Sequence, residues 1–85
     1  MKASYSKNFL RQYAKLSPKI RQKVDERILL WQSEPFNSQL RDHQLKGKYK
    51  QYHSIDVTGD FRAFYVLDSD EAIFDLVGTH SQLYG

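Results

Sequence analysis

The chain has no cysteine among its 85 residues, which excludes a disulfide framework and a thiolate zinc site and suits a reducing compartment. It also lacks any apolar run near the roughly 20 residues that cross a bilayer, and its N-terminus lacks the apolar segment of a signal peptide. The expectation is a cytoplasmic protein with no membrane contact. Internal repeats and low-complexity tracts are missing too, so one domain spanning residues 1–85 is expected. A chain this short closes about one core and gains stability from any partner that binds only the folded form.

Positive charge is nearly missing from the second half. Residues 1–50 hold twelve of the thirteen Lys and Arg against four acids, Asp25, Glu26, Glu34 and Asp42. Residues 51–85 hold Arg62 alone against six acids. The net charge of +3 therefore hides a basic half that suits a polyanion and an acidic half that does not. The plainer reading is that Lys7, Arg11, Lys15, Lys19 and Lys23 solvate the outer faces of helices.

What is present reads as strand, two helices and three strands. Alternation over Met1 to Tyr5 predicts a short strand, after which Ser6 caps a helix from Lys7 to about Leu16 with Phe9, Tyr13 and Leu16 on one face. Ser17-Pro18 restarts the chain, and Ile20, Val24, Ile28 and Trp31, widened by Leu29 and Leu30, form a second helical stripe that Pro35 ends. Residues from Phe36 to about Lys48 show no sustained period and predict a functional loop that includes a short helical turn. Strands are predicted over Tyr49–Val57, Phe61–Leu67 and Glu71–Val77, joined by turns short enough to demand antiparallel neighbours. The most apolar, Phe61–Leu67, belongs at the centre. The predicted architecture is α+β: an N-terminal strand and a helical hairpin packed on a small, mainly antiparallel twisted sheet, in which the first strand can pair with a later one.

Three segments carry a resemblance. Asp42-His43-x-Leu45-x-Gly47 with Tyr52 ten residues after Asp42, then Asp60-Phe61-x-x-x-Tyr65, then Gly78-Thr79-His80-Ser81-x-Leu83-Tyr84, resemble the RelE/ParE superfamily of bacterial toxins, and most of all its YafQ-like branch. The likeness spans essentially the whole chain. It implies a RelE-like fold and an mRNA interferase that cuts translated messages on the ribosome and is held inactive by a cognate antitoxin. Such a toxin-antitoxin complex can also bind operator DNA through the antitoxin. By position, His43 corresponds to the branch's loop histidine, Asp60 to its turn aspartate, His80 to its C-terminal histidine and Tyr84 to its terminal aromatic residue. One position departs. Where the branch has a histidine on the strand before Gly59-Asp60, this chain has Asp56, and its nearest histidine is His53, three positions away.

The chemistry can be argued from the residues. RNA cleavage without metal needs a base for the 2′-hydroxyl proton, donors for the crowded phosphate and an acid for the leaving 5′-oxygen. His80, behind a strand and a glycine that admits a close ligand, suits the acid; an isolated histidine is otherwise structural or merely exposed. His43 suits a base or a phosphate donor, the alternative being a loop-surface histidine. Asp56 can act as a base only if burial or Asp60 raises its pKa, and can otherwise orient a histidine. Arg62 suits bidentate phosphate contact or a salt bridge to Asp56, Asp60 or Asp75. Tyr84 can stack on a base or anchor the tail to the core. Lys46, Lys48 and Lys50 alternate, so their ammonium groups project to one side and can meet RNA backbone if the segment is extended. No metal or other cofactor is expected, because His43, His53 and His80 fall on different elements without an H-x-x-x-H pair. Tyr13, Tyr49, Tyr52, Phe61 and Phe64 could form an RNA-stacking platform, but mostly read as core. Two other functions fit the same architecture: a ParE-like poison of DNA gyrase, and a toxin-fold protein without catalysis that represses a promoter with its antitoxin.

Overall fold

Two serines start the two long helices. In the computed structural model, which describes residues 1–84, Ser6 Oγ accepts from the Phe9 amide (3.0 Å) ahead of α1 (Lys7–Ala14). Ser17 Oγ accepts from the Ile20 amide (3.3 Å) ahead of α2 (Pro18–Ser33). Pro18 takes the first turn of α2, where its missing N–H costs nothing. α1 stops at Ala14, short of Leu16, because the Lys15 and Leu16 amides tighten onto the Gln12 and Tyr13 carbonyls. The Tyr13 hydroxyl donates to both oxygens of Asp25 (2.8 and 3.1 Å) and ties the hairpin together. That bond, with lesser contributions from burial, pushes the Tyr13 phenol up.

Behind the helices lies a sheet of five strands: β1 (Lys2–Tyr5), β2 (His43–Gln44), β3 (His53–Asp56), β4 (Phe61–Asp68) and β5 (Glu71–Thr79). Their order is β1-β5-β4-β3-β2, with β1 parallel to β5 and the other neighbours antiparallel. The predicted α+β architecture is the observed one, and the apolar β4 is central as expected. A last short helix, α3 (His80–Tyr84), closes the described chain. No helix among the described residues is long and apolar enough to cross a membrane.

The two faces of the sheet are packed differently. Phe9, Val24, Ile28 and Trp31 from the helices meet Ile55, Val57, Ala63, Tyr65, Ala72, Phe74 and Val77 in the main core. On the second face Leu45, Phe64 and Leu83 are buried, and Tyr49, Tyr52, Leu76 and Tyr84 pack half-buried around them. Alternation along a strand makes this division: His53 and Ile55 go to the helix face, Ser54 and Asp56 to the second. A bulge between Phe64 and Tyr65 pairs those residues with Leu76 and Phe74, so Asp75 is the extra residue. Its carbonyl, freed from the ladder, accepts from Asn8 Nδ2 (3.1 Å) and Ser6 Oγ (3.4 Å).

The Asp75 carboxylate accepts from the Tyr52 hydroxyl (2.7 Å) across the second face. This hydrogen bond, and then burial, pushes the Tyr52 phenol up to about 12. An unfolded tyrosine titrates near 10, so the folded form binds its proton more tightly. The stability from this bond is complete below about pH 10 and is lost as the pH rises through about 12. Tyr52→Phe should cost about 1 to 2 kcal/mol at neutral pH and flatten the alkaline fall. Urea melts at a series of pH values check both, and equal slopes in the two proteins would count against the bond.

Several expectations need correction. The predicted strand Tyr49–Val57 is only His53–Asp56, because Gly47 (φ 65°) turns the chain into a 3-10 turn over Gly47–Tyr49. The Leu45 amide still bonds the Tyr52 carbonyl (2.9 Å), so residues 46–51 loop out of a hairpin that begins with β2 inside the predicted loop. The alternation of Lys46, Lys48 and Lys50 therefore has no extended strand to act on, and the side they were to share is not formed. β5 runs two residues past Val77. Then comes α3, which the sequence reading lacked although Thr79-x-x-Gln82 is a capping box: Thr79 N–H bonds Gln82 Oε1 (2.9 Å) and Gln82 N–H bonds Thr79 Oγ1 (3.2 Å).

Candidate functional site

The second face gathers most of the singled-out residues at one end. Asp56 stands directly opposite Arg62 on β4, and Arg62 opposite Gly78 on β5, so the three share one row across the sheet. Arg62 Nε lies 3.1 Å from Asp56 Oδ1. Its Nη1 donates to the Thr58, Gly59 and Phe61 carbonyls at 2.9 to 3.1 Å. The guanidinium is thereby fixed against the turn. The salt-bridge reading of Arg62 holds, with Asp56 as the partner, and the ion pair keeps the cation at the face. Arg41, which the sequence reading did not single out, brings its Nε within 3.7 Å of the other Asp56 oxygen.

His80 and Tyr84 sit beside this row. The His80 amide donates to the Asp60 carbonyl (3.1 Å), which sets the turn aspartate next to the first residue of α3. The His80 and Tyr84 rings are 4.5 Å apart, one helical turn from each other, and the imidazole is exposed. Tyr84 packs on Phe64 (5.6 Å) and Tyr49 (5.4 Å), so it does anchor the tail. Burial pushes its phenol up and the positive charge of Arg62 works against that rise. Gly78 admits a close approach, but by the chain itself: a Cβ there would lie 2.9 Å from Gln82 Oε1 and disturb the cap under His80.

His43 reaches the same face from the far edge. It pairs with Ser54, which pairs with Phe64, and directly opposed residues point to the same side. Its Nδ1 lies 2.8 Å from the Arg41 carbonyl. A carbonyl only accepts, so Nδ1 carries the proton and the neutral ring presents the lone pair of Nε2. The preceding Asp42 turns the other way. One of its oxygens accepts from Trp31 Nε1 (3.1 Å) and the Tyr65 hydroxyl (2.6 Å), pinning the start of β2 to the core. Burial first, and then this bond, pushes the Tyr65 phenol well above its usual range.

Other candidates are not brought together. His53 is on the helix face, its ring stacked 5.1 Å from that of Tyr65, so it cannot stand in for a histidine at Asp56. Lys46 and Lys50 are exposed on the looped-out turn, while Lys48 Nζ lies 5.2 Å over the Tyr49 ring. Lys48 alone is linked to the row, through Tyr49 and Tyr84. Among the aromatics, Tyr49, Tyr52 and Phe64 belong to the second-face cluster, and Tyr13 and Phe61 pack on the main core. Among the described residues no group of three or more His, Asp or Glu could hold a metal ion.

Comparison with known proteins bears on the family and the fold. The sequence matches the family model for the bacterial toxin of type II toxin-antitoxin systems, YafQ, over residues 1–85. No curated protein matches it. The structure is similar to that of YafQ from Escherichia coli, with 26% identity over 98% of this chain and 97% of the other at a TM-score of 0.80. It is similar to a chain of the E. coli DinJ-YafQ toxin-antitoxin complex (27% identity, 98% and 96% covered, TM-score 0.77). A copper-bound mutant toxin from Helicobacter pylori also matches, at 28% identity, 98% coverage of both chains and a TM-score of 0.74.

Proposed function

This chain belongs to the YafQ family of bacterial toxins of type II toxin-antitoxin systems, and we propose that it is a metal-independent endoribonuclease that cleaves translated mRNA on the ribosome. One observation carries the reading: an arginine held by Asp56 and three carbonyls stands beside the His80–Tyr84 pair, on the face to which His43 also turns. His43 Nε2 takes the 2′-hydroxyl proton, and the 2′-oxygen attacks the adjacent phosphorus. Arg62 stabilises the charge that builds on the phosphate oxygens. His80 gives its proton to the departing 5′-oxygen, leaving a 2′,3′-cyclic phosphate and a 5′-hydroxyl end. Asp60 positions His80 at the turn, its carbonyl accepting from the His80 amide. Tyr84 offers a ring to a flanking base, and Lys48, linked to the row through Tyr49, meets RNA backbone without reading sequence. The ribosome supplies the positioning that so small a site lacks.

The partner proposed for regulation is a cognate antitoxin, as in the DinJ-YafQ complex. Its acidic or amphipathic segment would cover the basic loop and helices and displace α3, and it would carry any operator DNA binding. A groove of about 360 Å³ between α1 and α2, lined by Tyr5, Phe9 and Tyr13 and flanked by exposed Leu10 and Leu29, can take apolar side chains of that segment.

Expression of the protein followed by mapping of message 5′ ends tests the activity. Cuts at codon-related positions with 5′-hydroxyl ends are expected. Growth arrest with intact messages and damaged DNA would point to gyrase instead, and no toxicity at all would point to promoter repression without catalysis.

A further inference from the structure

Resting on the ribonuclease reading, we propose that Arg41 is a second phosphate-binding residue of this site and that Asp56 is a positioning carboxylate holding Arg41 and Arg62 as a clamp. Each Asp56 oxygen faces a different guanidinium, Oδ1 that of Arg62 (3.1 Å) and Oδ2 that of Arg41 (3.7 Å). Both oxygens thus face cations, which favours a charge that holds the two guanidinium groups. Asp56 is therefore built to hold, and the base falls to His43.

The two arginines differ in a way that suits a clamp. The Arg62 side chain is 20% exposed and its Nε and Nη1 are spent on the protein, which leaves Nη2 without an acceptor among the described residues. Arg41 is 76% exposed and touches the site through Nε, so both its terminal nitrogens are open to an incoming phosphate. A planar fork that keeps two N–H groups free matches two phosphate oxygens.

The backbone supplies a second observation. Arg41 has φ 48° and ψ 42°, a left-handed conformation that glycine or asparagine adopts more readily than arginine. Its carbonyl at the same time holds His43 Nδ1 (2.8 Å). A bulky residue kept in a strained conformation, with its backbone on one site residue and its side chain on another, fits a position retained for use.

Binding and cleavage test the clamp separately. Binding is measured on a mixed-sequence RNA oligonucleotide with every 2′-hydroxyl methylated, over a range of salt, and cleavage on translated message. Arg41→Gly should leave the melting temperature unchanged or higher, because glycine suits the left-handed backbone. It should weaken RNA binding about tenfold and lower the salt slope by about one phosphate contact. Arg41→Lys should restore part of the slope. Asp56→Asn should slow cleavage while keeping the acid limb of the pH–rate profile, and its effect should shrink when Arg41 is already glycine. Wild-type affinity and slope in Arg41→Gly would overturn the proposal by making Arg41 an ordinary surface ion pair. Loss of the acid limb in Asp56→Asn would overturn it by making Asp56 the base. A wild type that binds the RNA without cleaving any message overturns the ribonuclease reading instead, and the Arg41→Gly binding result then decides the clamp.

Discussion

If the proposed ribonuclease mechanism holds, His80→Ala is expected to lower the rate of message cleavage by about 10²- to 10⁴-fold, the range of a lost general acid, and to leave the melting temperature within about 4 °C, because surface changes of this kind stay within about 0.5 kcal/mol. The separation follows from where the residue sits. Its imidazole is exposed and its aromatic neighbour is Tyr84, while the contact that anchors the turn is made by its amide. Removing the ring therefore costs little packing and removes a proton donor beside Arg62. The pH profile sharpens the test. A histidine acid works in its protonated form, so wild-type activity falls on the alkaline side, and the residual activity of the variant should lack that limb. His80→Gln keeps a donor and much of the bulk but cannot give up a proton, so it should be nearly as slow as the alanine. Either variant cutting within threefold of wild type would remove His80 from the chemistry.

Asp42→Ala has the largest expected effect on folding, about 3 kcal/mol, which for a domain of this size lowers the melting temperature by roughly 15 °C. Trp31 is 1% exposed and Tyr65 4%, so the indole N–H and the phenol O–H that Asp42 accepts would be left buried and unpaired. An unmade buried bond costs the full desolvation of the donor, and here two donors depend on a single oxygen. Asp42→Asn keeps an acceptor and should cost about 1 kcal/mol. Tyr65→Phe removes one donor with its bond and should fall between them. Thermal melts of the three variants give the order directly, and an alanine variant no worse than the asparagine would show that the two donors find water. Because Asp42 also fixes the start of β2, a folded Asp42→Ala protein should cut more slowly through the looser placement of His43.

The elements that could be read from the sequence are those whose cause is local. Ser6, Ser17 and Pro18 act on amides two to four residues away, and the helix stripes need nothing beyond their period. Two readings failed where distant parts of the chain contribute. β2 spans two residues and exists because β3 pairs with it. The start of Tyr49–Val57 leaves the sheet at the Gly47 turn, with Tyr49 packed on Phe64 and Tyr84 from far along the chain. α3 differs, since its capping box of Thr79 and Gln82 is local and legible in the sequence.

The site divides in the same way. In the sequence, periodicity and turn signals determined the α+β class, and three motifs in order carried the resemblance that singled out His43, Asp60, His80 and Tyr84, with Asp56 and Arg62 marked by their place and charge. Tertiary structure decided their roles. Whether Asp56 faces a histidine or two arginines depends on the register of β3 against β4 and on the left-handed turn at Arg41, and a shift of one residue in that register would have sent Asp56 to the helix face. The same alternation put His53 on the helix face and left His43, at the opposite edge, on the second face with Asp56 and Arg62.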